Sequence, residues 1–211
     1  MTVWLAFYFL LGAVVGRLLK LSACRYCGAA FGSKNLPAEL LTCTAFALCG
    51  LHFKPVLPLA LMFVLTSCLI LISLIDYKTQ IIPDGLVGVI AVSGAVYNLL
   101  YAPQGIMDML LGGAAGFAVM LVIFLISRGG MGGGDVKLSA AVGVWLGVEG
   151  TLLFLLLAFI MGGIISFLLL VSGVKHKGDA IPFGPFLCFA AFITVLYQPF
   201  LLNFYWQLFL F

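Results

Sequence analysis

Long apolar runs broken by short polar stretches make up almost the whole chain. Eight can be marked, roughly at Val3–Leu19, Leu36–Leu51, Val56–Ile75, Leu86–Tyr101, Met109–Ser127, Val136–Val148, Thr151–Ser172 and Phe183–Phe204. A helix crossing the hydrocarbon core of a bilayer needs about 20 apolar residues, with a range of about 17–25. Most of the runs meet that length, and the sixth is the shortest. The pattern predicts an all-α, polytopic integral membrane bundle of about eight transmembrane helices. Residues 1–211 read as a single transmembrane domain, with 20–35 as a short cytoplasmic loop rather than a full cytoplasmic domain.

Composition sharpens this. Of 211 residues, 64% are hydrophobic and 8% charged, with a mean hydropathy of +1.28. Soluble domains carry roughly 25% charged residues, so this chain cannot cover a water-facing surface and lipid must be its solvent. The net charge of +3 gives no reason to expect a nucleic-acid partner. The position of the positive charges matters more, because cytoplasmic loops concentrate Lys and Arg. With eight spans and the N-terminus outside, Arg17, Lys20, Arg25, Lys34, Lys78, Arg128, Lys137, Lys175 and Lys177 all fall inside, and Lys54 alone falls outside. Merging the sixth and seventh runs would move Lys175 and Lys177 out. The first run has no basic residue before it and is followed by Arg17 and Lys20. It therefore reads as a retained helix and not a cleaved signal.

The same threading gathers Asp76, Asp84, Asp135 and Asp179 at the cytoplasmic face and puts Asp108 and Glu149 on the other side. Ionisable groups at membrane depth are costly and usually functional. Two stretches hold the most informative ones: LIDYKTQIIPDGL at 74–86 and GGMGGGDVKL at 129–138. Asp76 closes the third run, at a helix C-terminus where a carboxylate is disfavoured by the helix dipole. It is either an interface residue paired with Lys78 or a group placed there for chemistry. Asp84 follows Pro83 at a helix start and reads as an N-cap. Asp135 also opens a helix, but capping does not account for five glycines just before it. Glycine permits close backbone approach and positive φ, which suggests a loop bent tightly around something. Gly132, Gly133 and Gly134 are thus candidate substrate contacts. Lys137 either snorkels to the interface or lends charge to the site.

Two carboxylates on one face of a small bundle can share a proton, since neighbouring like charges do not both ionise easily. One then activates a water while the other polarises a peptide carbonyl. No serine–histidine arrangement competes, because His52 and His176 fall on opposite sides of the membrane.

DYKTQIIPD with GGMGGGDVKL resembles the two signatures of the bacterial type IV prepilin peptidases, intramembrane aspartic proteases of the GxGD class. AIPFGPFL at 180–187 is similar to their segment before the last helix. The resemblance covers roughly residues 60 to 195. It implies a catalytic dyad of Asp76 and Asp135. It also implies cleavage of type IV prepilins, pseudopilins or competence proteins just before their hydrophobic helix, at the cytoplasmic face of the bacterial inner membrane. Pro182, Phe183, Gly184 and Pro185 either hold substrate backbone in an extended stretch or simply start a helix.

The longer family members resemble this chain less at the N-terminus, where they carry two C-x-x-C pairs linked to metal binding and N-methylation. Here CRYC supplies Cys24 and Cys27 only. A structural zinc normally takes four ligands, so no cofactor is expected, and Cys24 and Cys27 are the candidates were zinc held. S-adenosylmethionine would be a partner only if the product were methylated. The alternative readings are a small proton- or cation-coupled transporter, against which stands the absence of a mid-span carboxylate, and a non-catalytic assembly subunit.

Overall fold

The computed structural model describes residues 2–27, 37–53, 56–101, 105–127, 130–174, 176 and 181–210. Seven helices run through them: α1 (Thr2–Cys27), α2 (Pro37–His52), α3 (Val56–Thr79), α4 (Asp84–Tyr101), α5 (Gly105–Ile126), α6 (Gly133–Val171) and α7 (Gly184–Leu210). All except α2 are long and apolar enough to cross a membrane. The chain is a polytopic helical bundle.

The sixth and seventh apolar runs lie in one helix assignment, α6, yet they form two rods. Gly147 breaks it with φ 68 and ψ −174, a conformation open to glycine and closed to side-chain-bearing residues. The chain doubles back there. A Cβ on Gly116 of α5 would touch both the Ser139 carbonyl and Thr151 Cγ2. In an unbroken helix, residues twelve apart would stand about 18 Å apart. The loop expected between the two runs is thus a single glycine. Polar side chains occupy the backbone groups freed at this break. Asp108 Oδ1 accepts from Val148 N–H (3.1 Å), Gln198 Nε2 donates to the Leu146 carbonyl (3.2 Å), and Asn98 Nδ2 donates to that of Val144 (2.7 Å). Unsatisfied backbone groups are expensive in lipid, which explains why scarce polar residues are spent here.

Both arms of α6 pack on α5 through small residues. A Cβ on Gly112 would lie 2.7 Å from the Gly147 Cα, and one on Gly143 would run into the Gly112 carbonyl. Apolar burial drives no association between helices in lipid, so close backbone approach takes its place. We expect Gly143→Val to force the hairpin apart from α5. The loss should be about 1–3 kcal/mol or more, read as a lowered melting temperature in detergent.

α3 lies at the centre, packed against α1, α2, α4 and α7, while α6 packs against α4, α5 and α7. The core follows α3, with Met62, Leu65, Ile72, Phe154 and Leu187 all fully buried. This arrangement brings the ends of α1 and α3 and the starts of α4, α6 and α7 to one end of the bundle.

Candidate active site

Asp76 and Asp135 both lie at that end. Asp76 stands one turn before the end of α3. The helix stops at Gln80, whose φ of 55 turns the chain aside, and Pro83 three residues on cannot continue it. Asp135 stands in the first turn of α6, after the N-cap Gly132. Both side chains are buried, at 5% and 7% exposure, which is unusual for carboxylates without a cationic partner. Each lies within the electrostatic reach of the other.

A helix start lies beside each carboxylate. The Gly184 N–H, at the start of α7, donates to Asp76 Oδ2 at 3.0 Å. Asp135 stands beside its own N-cap, where a Cβ on Gly132 would lie 3.5 Å from its Oδ2. The unfavourable position of Asp76 at the end of its own helix is therefore offset by the N-terminus of another, where the dipole favours negative charge. Asp135 has the same benefit from α6. The two acids sit where two helix N-termini converge. The place of Asp135 at the third helical position also gives its cap reading a share of the truth, because an acid there can reach back to the N-cap backbone.

The IIPD segment, 81–84, docks directly on the glycine run. A Cβ on Gly134 would lie 2.9 Å from Ile82 Cβ, so the run is bare at this position to let the extended segment approach. The positive φ expected in the run is not found among its described glycines: Gly132 is extended at φ −79, and the left-handed glycines are Gly105, Gly147 and Gly173. Gly133 has open space around its α-carbon. Gly129 lies outside the described residues.

Several other expectations are revised. Asp76 is not paired with Lys78, whose ammonium lies 5.7 Å from the Tyr77 ring centroid. Asp84 is not a side-chain cap. The Pro83 carbonyl accepts the first helical bonds from Leu86 and Val87, and Asp84 stands inside the first turn. Its carboxylate takes both of its oxygens to Lys137 Nζ, at 2.8 and 3.0 Å. Lys137 thereby ties the start of α6 to that of α4, and its charge is directed to Asp84. Both partners are more than half exposed, and exposed pairs contribute about 0–1 kcal/mol. Lys137→Met should change stability by no more than that, read as a nearly unchanged melting temperature in detergent.

At the α7 entry, residues 181–183 are non-helical and the Phe183 carbonyl accepts from Phe186 and Leu187. The helix-start reading of this segment holds. Phe183 stacks on Phe159 with ring centroids 5.2 Å apart, which anchors the entry to the second arm of α6. Pro182 precedes the entry and Pro185 follows Gly184 in its first turn; Asp179 and Ala180 lie outside the described residues. Cys24 and Cys27 are on the last turn of α1, not in a loop, and pack with Leu71 and Ile75 just below Asp76. Among the described residues no group of three His, Cys, Asp or Glu side chains is placed to hold a metal.

Residues 63–167, which carry both acids and the helices between them, match the model of the type IV leader peptidase family. The chain belongs to that family. It is 33% identical over 181 residues to a protein of Aeromonas salmonicida (strain A449), covering 82% of this chain and 62% of the relative. It is 29% identical over 192 residues to one of Bacillus subtilis (strain 168), covering 91% and 77%. A third, from Pseudomonas aeruginosa, is 32% identical over 179 residues, covering 82% and 62%. Each is named prepilin leader peptidase/N-methyltransferase. The chain thus spans about three-fifths of the length of the Aeromonas relatives it matches. No solved structure is significantly similar to it.

In this leader peptidase family member, two neighbours of the acids were not evident from sequence. Gly184 reads from sequence as a substrate contact or a helix start, not as a donor to Asp76. Cys188, one turn deeper on α7, is buried and lies within the electrostatic reach of both carboxylates. Its four-residue spacing from Gly184 puts the two on one helix face, and that was the available signal.

Proposed function

We propose that this protein is an intramembrane aspartic endopeptidase that removes the leader of type IV prepilins or prepilin-like proteins, with Asp76 and Asp135 as its catalytic pair. The observation that carries the reading is the pair itself: two buried carboxylates from separate helices, in each other's field, one bonded to the N–H at the start of α7 and the other in the first turn of α6.

One proton is shared between the two acids. The ionised member takes a proton from a water, whose oxygen attacks the scissile carbonyl carbon. The protonated member gives its hydrogen to the carbonyl oxygen, forming a neutral tetrahedral diol. Proton return to the amide nitrogen then breaks the C–N bond, leaving a new acid and a new amine, with one water consumed. Gly184 fixes the Asp76 carboxylate so that little reorganisation is needed at the moment of reaction. The open space at Gly133 leaves room for a peptide beside Asp135, and the α7 entry, Pro182, Phe183, Gly184 and Pro185, borders Asp76 from the other side.

Charge distribution supports a cytoplasmic site, since nine of the ten basic residues fall on the dyad's side when eight spans are threaded. Both termini are then outside, in the bacterial inner membrane.

Incubating the purified chain with a candidate prepilin and sequencing the product's N-terminus tests the reading. One cut immediately before the substrate's apolar segment is expected; an intact substrate would overturn it. With chemistry limiting, the rate should fall at acid pH, where both acids are protonated, and again at alkaline pH, where both are ionised. A profile flat across the pair's titration would contradict a shared proton.

A further inference from the structure

At the end of the bundle away from the dyad lies a cavity of about 440 Å³, within the size range of small-molecule sites. It is bordered by the end of α2, the end of α4, the Gly147 break and the middle of α7. Nothing in the proposed peptide cleavage uses it.

Its chemistry is one-sided. Trp145 and Tyr97 line it, stacked on each other with centroids 5.0 Å apart. The indole N–H is committed to the Ile90 carbonyl at 2.9 Å, so Trp145 has no donor left to offer. Asn98 spends its amide nitrogen on the carbonyls of Gly94 and Val144, and Gln198 donates to that of Leu146. The oxygen ends of both amides are what they keep to offer. His52 Nδ1 lies 3.0 Å from the Leu48 carbonyl. A carbonyl only accepts, so that nitrogen carries the hydrogen and Nε2 of the neutral ring is an acceptor.

The backbone adds to this. The first arm of α6 (133–146) ends here, presenting the negative end of its dipole. Pro199 of α7 has no N–H for the carbonyl of Val195, another lining residue. Among the described residues no lysine or arginine lines it. Acceptors and aromatic rings favour a ligand that is cationic and donates hydrogen bonds.

We propose that this cavity binds an organic ammonium group carried on an amphipathic molecule, whose apolar part lies against Val195 and Leu202. The ammonium would sit between the Trp145 face and the oxygens of Asn98 and Gln198. Such a group reaches this end of the bundle either as a lipid head group or as a free amine.

The full chain, purified in a maltoside detergent, is to be offered short-chain phosphatidylethanolamine and phosphatidylglycerol with the same acyl chains, with bound lipid counted by native mass spectrometry. Ethanolamine alone is tested by thermal shift. The expected result is roughly a tenfold preference for phosphatidylethanolamine. Val195→Trp, which fills the cavity without touching the braces of the Gly147 turn, should abolish it. Leu202→Trp does the same from the next turn should the first variant not fold. A thermal shift with ethanolamine identifies a free amine as sufficient, and binding by the lipid alone identifies the head group as the source; both support the site. Equal retention of the two lipids, or a preference that survives in the filled variants, would overturn it.

Discussion

Asp135→Asn and Asp76→Asn are each expected to lower cleavage of a prepilin by about 10³-fold or more, the range lost when an acid–base group is removed from a site that depends on it. Asparagine keeps the shape of the side chain and at position 76 can still accept from Gly184. The fold should therefore survive, and the melting temperature in detergent should stay near that of the parent chain. Removing one buried carboxylate also relieves the other of a like charge, so either variant can be as stable as the parent or more so. Lost cleavage with retained stability is the signature of a chemical role. Lost stability in step with lost cleavage would make the acids structural.

Gly184→Ala carries the second large effect. A Cβ at this position would lie 2.6 Å from Asp76 Oδ2 and 2.8 Å from its Cγ. Its neighbour is thus the carboxylate itself, not inert packing. Either Asp76 rotates away from the Gly184 N–H or the start of α7 shifts, and each outcome breaks the 3.0 Å bond that orients the acid. Misplacement of a reacting group by about 1 Å can cost about 10²-fold in rate. We expect a loss of that size in kcat, with KM and melting temperature little changed. Cleavage at the parent rate would show that the bond does not position Asp76.

The fold class was plain in the hydrophobic runs because lipid permits few alternatives. Chains at membrane depth must satisfy their own backbone, and length alone then separates spans from loops. The fold-back within α6 was less plain. VWLGVEGT contains no proline and only two glycines, and the turn relies on Asp108, Asn98 and Gln198 from three other helices, which no local pattern reveals. The acids were visible because carboxylates are so few here. Their supports were not. The bond from Gly184 to Asp76 joins residues 108 positions apart. Asp84 and Lys137, separated by 53, each had a reasonable local explanation that their pairing replaced. A helix start explains Pro182, Phe183 and Gly184 well enough that sequence alone gave no reason to aim an N–H at an acid.

The central claim is that Asp76 and Asp135 act as one unit. Its most direct test is a comparison of kcat/KM for prepilin cleavage in the two single asparagine variants and the double variant. If the pair shares one proton and one water, either single change removes nearly all that the double change removes, and the losses do not multiply. A single variant that still cleaves at close to the parent rate, or losses that multiply as for independent groups, would contradict the account.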